Sequence, residues 1–186
     1  QAAARIESDK DFALELMHKY NIPTGWYETF TEPQSARDFI EDRGAPIVLK
    51  ASGLAAGKGV IVCQTRKEAF DAIDEVMVKR AFGDAGDKLV IMEFLEGEEA
   101  SIFGCTDGGH MVCVAPSQDH KPAYDGDKGP NTGGMGAYCP APVVTRERYD
   151  EIYETVMVAT LKALAAGRYF CCFSDFFRST GPLGLV

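Results

Sequence analysis

Two apolar runs flanking a glycine-rich stretch constrain this chain most. Residues 46–51 (PIVLKA) read as a short apolar strand, and residues 59–63 (GVIVC) as the strand that follows. Between them the run Lys50-Ala-Ser-Gly-Leu-Ala-Ala-Gly-Lys58-Gly-Val places glycines at 53, 57 and 59. Glycine lets backbone N–H groups approach an anion with no Cβ in the way. Lys50 ends one strand and Lys58 opens the next, so both are expected to point at a phosphate chain; a flexible hairpin with exposed lysines is the plainer alternative. The run is not a Walker loop. Only three residues separate Gly53 from Gly57, Gly59 stands where a Ser or Thr would hold a metal, and a strand follows instead of a helix.

Around this run the pattern predicts a helix over 9–20 capped by Ser8, with Phe12, Leu16 and Tyr20 at helical spacing, stopped by Asn21-Ile22-Pro23. A strand over 26–30 and a helix over 33–43, with Pro33 in its first turn and Gly44 after its end, come next. Beyond the glycine run, 66–79 is helical and 89–95 (LVIMEFL) a buried strand. Strands over 99–106 and 110–115 flank Asp107-Gly108-Gly109, a hairpin signal. Residues 117–140 read as a long polar loop, and 146–166 as one helix capped by Thr145. The order of elements is that of an α+β chain, with a small lid-like unit set between two parts of a larger one.

Two further runs carry chemistry. In Glu93-Phe-Leu-Glu-Gly-Glu-Glu99 a buried strand runs into four carboxylates. A strand leaving a core offers N–H and C=O groups to an adenine edge, and a following Glu can accept from ribose hydroxyls; a solvated acidic turn is the alternative. Gln118-Asp-His-Lys121 is followed by Gly129-Pro-Asn-Thr-Gly-Gly-Met-Gly-Ala-Tyr138, whose glycine density suits a backbone wrapped around a phosphate or sugar. His120 reads as a packing or hydrogen-bonding residue rather than a general base.

The formal net charge of −9 argues against a general nucleic-acid surface but not against nucleotides, which need only local positive charge. Cys63, Cys105, Cys113, Cys139, Cys171 and Cys172 include no C-x-x-C pair, so a zinc site is not expected. The first four sit in apolar or strand-like runs and read as buried, reduced thiols of a cytoplasmic protein. No signal peptide or long apolar span is apparent, so no membrane partner is expected.

The runs GAPIVLKASGLAAGKGVIV, AFGDAG, EFLEGEEAS, SQDHK and GPNTGGMGAYCPAPVVT together resemble the successive motifs of glycinamide ribonucleotide synthetases over about residues 2–166. The resemblance implies the ATP-grasp fold, here a small lid-like α+β subdomain plus part of the larger α+β subdomain, gripping ATP between them. It divides the chain into 1–23, the first helix of the large subdomain; 24–92, the small subdomain; and 93–166, the large one. By position, Lys10 resembles the superfamily lysine of the first helix and Lys50 the strand lysine on the phosphates. Residues 52–60, with Gly53, Gly57, Lys58 and Gly59, resemble the loop over the triphosphate. Glu93 and Leu95 resemble the adenine-edge residues, and Glu98 or Glu99 the ribose acceptor. Asp119, Lys121, Asn131, Thr132, Gly133, Gly134 and Gly136 would line the side that takes glycine and phosphoribosylamine. The implied chemistry needs no protein nucleophile: ATP phosphorylates the glycine carboxylate, and the amine of phosphoribosylamine attacks the acyl phosphate, aided by Lys50, Lys121 and Mg²⁺. The parent is compatible with a stand-alone ligase or with one part of a multifunctional purine enzyme.

The sequence departs from the family at Leu14, where many members have Lys, at Pro122, where they have Arg, and after Gly167. There the family continues into an apolar strand pair, then a glutamate and an asparagine that hold Mg²⁺; residues 167–186 match none of this. The codons for Cys171 to Arg178, read in another frame, are compatible with Leu-Phe-Phe-Gly-Leu-Leu-Gln, an apolar strand. The expectation is therefore a fragment with a frame-slipped tail, lacking the family metal ligands, inactive alone and with an unpaired sheet edge.

Overall fold

The computed structural model describes residues 5–53, 59–126, 128–167, 173–180 and 184–185; the side chains of Glu7, Pro122, Lys128, Pro130, Asn131 and of residues 173–180 and 184–185 lie outside that description. The chain divides into two compact units, one of Gln1–Lys19 and Gly25–Phe94, the other of Tyr20–Thr24 and Leu95–Val186.

The first unit holds β1 (Tyr27–Phe30), β2 (Ile47–Ala51), β3 (Val60–Cys63) and β4 (Leu89–Glu93), antiparallel neighbours in the order β1-β4-β2-β3. Alternation along β2 sends Ile47, Leu49 and Ala51 to one face. There they meet Leu89 and Ile91 of β4 and Cys63 of β3 under α3 (Pro33–Arg43) and α4 (Arg66–Ile73), which contribute Ala36, Ile40, Ala69, Ala72 and Ile73. The other face carries Val90 and Met92, covered by Leu14 and Met17 of α2 (Lys10–Lys19). A sheet buried on both sides explains why 89–93 reads as an unbroken apolar run.

The helix ends follow side-chain chemistry. α3 begins at Pro33 and stops at Gly44, whose φ of +86° suits a residue without Cβ and whose N–H bonds the Ile40 carbonyl. Thr65 caps α4 by accepting from the Glu68 N–H, and the helix runs on through a π turn, Asp74–Val78. At the chain start a short helix α1 (Arg5–Ser8) precedes α2, and Asp9, not the expected Ser8, accepts from the Phe12 N–H at 3.1 Å. Both cluster with this first unit, where Leu14 packs on Val90 and Met92.

In the second unit β5 (Glu99–Thr106) pairs with β6 (Met111–Cys113) and with β9 (Phe173–Thr180), and β9 with β10 (Gly184–Leu185). The β5 edge that the sequence leaves open is thus occupied by β9 over eight residues, from Glu99 opposite Thr180 to Thr106 opposite Phe173. Thr145 caps α5 (Arg146–Ile152), which continues through a π turn (Tyr153–Val158) into α6 (Ala159–Ala166). Met157 of that turn packs on β5 at Gly104, where a Cβ would lie 2.6 Å from its Cε. The expected loop over 117–140 is instead a two-stranded hairpin, β7 (Gln118–Tyr124) against β8 (Lys128–Tyr138). Its polar, glycine-rich strands carry no apolar alternation, so nothing in the pattern marks them as strands.

Of the four cysteines expected to be buried, only Cys63 is; Cys105 and Cys139 are exposed and Cys113 is partly covered. Burial pushes the Cys63 thiol up to about 11, with Glu68 adding to it, so this sulfur stays protonated and inert.

Candidate functional sites in two units

In the first unit, Lys50 stands opposite Val60 and Val48 opposite Val62 in the β2–β3 ladder, so these four share one sheet face. Lys50 is only 6% exposed, whereas Val60 and Val62 are 39% and 44% exposed. A covered ammonium beside an open strip of valines is what a phosphate tail and a flat apolar ring would require of one surface. The strands part at Ala51, whose N–H bonds the Gly59 carbonyl at 2.9 Å. Gly57 and Lys58, expected on the phosphates, lie outside the described residues.

The chain leaves β2 under close restraint. Ser52, 5% exposed, donates its N–H to the Lys88 carbonyl, accepts on its own carbonyl from the Lys10 N–H, and accepts on its hydroxyl from the Asp11 N–H. Gly53 follows: its N–H points at the Ala85 carbonyl at 3.4 Å, and the Lys10 ammonium donates to its carbonyl at 3.1 Å. Burial lowers the pKa of Lys10. Around them, Asp11 accepts from the Thr29 hydroxyl at 2.7 Å and from the Lys88 ammonium at 2.6 Å, and this pairing raises the pKa of Lys88. Sequence reasoning named Lys10, Gly53 and, as the start of the 52–60 loop, Ser52, but missed Ala85 and Lys88. The only available signal was the AFGDAG run, which forms the 3-10 turn Gly83–Asp87.

At the exit of β4 the Glu93 N–H bonds the Trp26 carbonyl and its carboxylate accepts from the Trp26 N–H, so both groups hold the strand end against β1's entrance. Leu95, the other expected adenine-edge residue, is half-buried and belongs to the second unit. There Glu98 is exposed and Glu99 half-buried at the start of β5.

The second unit's hairpin gathers the remaining expected residues. Ser117 exchanges both backbone hydrogen bonds with Ser101 of β5, at 2.7 and 2.9 Å, which ties the hairpin base to the larger sheet. Gln118 is buried and accepts from the Tyr138 hydroxyl, and the His120 ring packs on Tyr138 with centroids 5.6 Å apart. Asp119 and Lys121, one residue apart on a single face of β7, form an ion pair at 3.2 Å. The register then slips: Gly136 stands opposite His120 but Asn131 opposite Pro122, so 132–135 bulge out of β8. Thr132 shapes the bulge by donating to the Lys121 carbonyl at 2.9 Å and accepting from the Gly134 N–H at 3.0 Å. Gly134 has φ +124° with open space around its absent Cβ, and Gly136 is likewise open. Asp119, Lys121, Thr132, Gly134 and Gly136 are therefore near one another; Gly133 lies within the same bulge, and Asn131 is placed by register alone.

Among the described residues no group of three or more His, Cys, Asp and Glu side chains converges as a metal site, and no helix is long and apolar enough to cross a membrane.

Residues 8–172 match the family described as phosphoribosylglycinamide synthetase, ATP-grasp (A) domain. The chain is 53% identical over 163 residues to the chloroplastic phosphoribosylamine–glycine ligase of Arabidopsis thaliana, covering 88% of this chain and 31% of that relative. It is 52% identical over 166 residues to the phosphoribosylamine–glycine ligase of Neisseria meningitidis, covering 89% and 39%. The chain thus spans between 31% and 39% of the length of these relatives. The crystal structure of the Thermotoga maritima phosphoribosylamine–glycine ligase superposes with a TM-score of 0.81 at 30% identity, over 98% of this chain and 47% of that one. The biotin carboxylase domain of a Hydrogenobacter thermophilus 2-oxoglutarate carboxylase superposes at 0.74 with 18% identity, a likeness of fold alone.

Proposed function

The chain belongs to the phosphoribosylglycinamide synthetase ATP-grasp (A) domain family, and from that premise we propose that it is the ATP-handling part of a phosphoribosylamine–glycine ligase. The observation that carries the reading is the covered Lys50 beside the open Val60–Val62 strip, at the point where β2 gives way to the glycine run. Lys50 offsets phosphate charge; the valines offer an apolar surface to adenine. Gly53, Gly57, Lys58 and Gly59 bring N–H groups and a second ammonium to the phosphates, and Glu93, Leu95, Glu98 and Glu99 serve the adenosine. In the second unit Lys121, oriented by Asp119, neutralises the carboxylate or acyl phosphate of glycine, while Thr132, Gly134 and Gly136 offer a polar bulge to phosphoribosylamine. Protons and charge are handled by lysines and backbone groups; no side chain acts as nucleophile.

In this reading the chain binds adenine nucleotide yet lacks ligase activity by itself, its tail arising from a slipped reading frame. Calorimetric titration with MgATP, beside an assay of ADP release dependent on glycine and phosphoribosylamine, tests it. Lys50→Ala should weaken MgATP binding at least about tenfold, the loss of one charge-assisted contact; an unchanged affinity sinks the assignment. Ligation by the isolated chain refutes the inactivity, and source DNA that reads in frame across codons 165–180 refutes the slip.

A further inference from the structure

The end of the β1–β4 ladder departs from its own pattern. Tyr27 stands opposite Met92, which puts Trp26 opposite Glu93, the last residue of β4. Directly opposed residues of an antiparallel pair either exchange both backbone hydrogen bonds or make none. Here one bond is the ladder's own: the Glu93 N–H donates to the Trp26 carbonyl at 2.9 Å. The other is diverted. The Trp26 N–H donates to the Glu93 carboxylate at 3.2 Å, where a regular ladder would give it to the Glu93 carbonyl. Trp26 is held from elsewhere: its ring lies against Phe39 of α3, centroids 6.1 Å apart, and the Arg43 guanidinium covers it at 3.8 Å. The donor is therefore stationary, and the Glu93 oxygen that meets it decides what the strand end presents. Glu93 is only partly buried, whereas the rest of β4 is fully buried, so the strand meets solvent at this residue.

We propose that the Glu93 carboxylate sets base preference without touching the base: by taking the Trp26 N–H it releases the Glu93 carbonyl from the ladder, and that carbonyl accepts from the exocyclic amino group of adenine. This rests on the nucleotide reading above and adds to it a division of labour within one residue. The Trp26 N–H favours the carboxylate because a bond to an ionised acceptor is stronger than one to a neutral carbonyl. In an antiparallel strand a residue's N–H and C=O point to the same side, so the freed oxygen faces the ladder's end beside Trp26. A carbonyl accepts and cannot donate. It therefore suits a purine that carries an amino group at this edge and opposes one that carries a keto oxygen there. A ladder closed by both backbone bonds would leave no such acceptor.

The test uses the full 186-residue chain with Glu93→Ala and Glu93→Gln. NMR couplings across the hydrogen bond from the Trp26 amide nitrogen identify the acceptor carbon, and calorimetry gives affinities for adenosine, inosine and tripolyphosphate. In the wild type the coupling should run to the Glu93 side-chain carboxyl carbon, and adenosine should bind more tightly than inosine. In Glu93→Ala the coupling should move to the backbone carbonyl carbon of residue 93. Adenosine should then weaken about fivefold, on the scale of one hydrogen bond, with inosine and tripolyphosphate changed less than about twofold. Glu93→Gln keeps a side-chain acceptor and should restore both the coupling and the adenosine affinity. If Glu93→Ala fails to fold, the wild type and Glu93→Gln decide alone. A wild-type coupling to the backbone carbonyl overturns the inference, as does a folded Glu93→Ala with adenosine affinity intact. So does a Glu93→Gln chain that keeps the side-chain coupling yet loses adenosine, which would make the charge itself a ligand. A wild-type side-chain coupling with no adenosine affinity overturns the nucleotide reading instead, and with it the use of the freed carbonyl.

Discussion

The sheet of the first unit and the β7–β8 hairpin of the second are both antiparallel, and they are held by opposite means. The four-stranded sheet is covered on one face, and on the other everywhere but at β3, and Leu49, Leu89 and Ile91 are wholly buried in it. Its order comes from apolar area removed from water, which is roughly proportional to that area and indifferent to detail. The hairpin keeps Tyr124, Met135 and Tyr138 exposed and is held by backbone geometry and a few polar bonds: the Thr132 hydroxyl, the Gln118–Tyr138 pair, the Ser101–Ser117 bridge. Burial builds a surface that can be stripped of side chains at one end, as at Gly53; polar bonds build a bulge whose backbone groups stay available to solutes.

The widest test of this contrast removes side-chain volume from each. Leu49→Ala should lower unfolding stability by about 2–5 kcal/mol, the cost of a cavity at a site with no exposure, whereas Tyr124→Ala should stay within about 0.5 kcal/mol. Denaturant titrations that give equal losses would break the comparison.

A smaller effect separates backbone from volume within the hairpin. Gly129 has φ +89° and a Cβ there would lie 2.3 Å from the Tyr124 ring, whereas Gly134, at φ +124°, has open space. Because Tyr124 is exposed it can swing aside, so Gly129→Ala and Gly134→Ala should both lose about 1–3 kcal/mol through backbone strain alone. Local amide exchange in β7 and β8 reads that loss. A much larger loss at 129 than at 134 would show that the ring contact, not φ, governs the turn. Next in size, Thr145→Ala should lower stability by about 1 kcal/mol by removing the acceptor for the Arg148 N–H. Thr145→Ser should restore most of it in thermal unfolding.

The same contrast explains what could be read in advance. Elements built on burial were legible: α3 starts at Pro33 and ends before Gly44 as its residues dictate, and β2, β3 and β4 fall within a residue or two of their apolar runs. The hairpin was not, since Gly-Pro-Asn-Thr-Gly-Gly has no period and its strand character comes from pairing with β7. The site divides likewise. Lys50 and the glycines announce themselves by spacing, and Asp119, Lys121 and Thr132 by composition. Ala85 carries no chemical mark: it meets Gly53 because two distant segments come together there, a tertiary fact that sequence spacing does not encode. The clustering of α2 with the first unit was hidden for the same reason, because Leu14 could serve any apolar neighbour.

The smallest expected effect lies in the β5–β6 turn, where polar bonds work with no burial at all. Asp107 accepts from the Gly109 N–H at 2.8 Å and the His110 N–H at 2.7 Å through one oxygen, and its other oxygen faces the His110 Nδ1 at 3.1 Å. The Gly109 and His110 N–H groups, then the His110 ring, hold the Asp107 carboxyl well below the ordinary carboxylate range. A carboxyl depressed in the folded state contributes stability that is fully present above its unfolded value, about 3.9, and is lost as pH falls through the lower folded value. The turn should therefore hold unchanged from neutral pH down to about 4 and loosen only below it. The Asp107 carboxyl resonance, followed by NMR from pH 7 downward, should show a midpoint below about 3.9, and the Gly109 amide resonance should move with it. Asp107→Asn keeps an acceptor but cannot titrate, so it should abolish that shared transition while leaving the turn in place. A midpoint at or above the ordinary value would mean that the three contacts are not kept in solution. The hairpin turns of this chain would then owe their shape to glycine alone, and the distinction between burial and polar bonds would fail at the one place where burial contributes nothing.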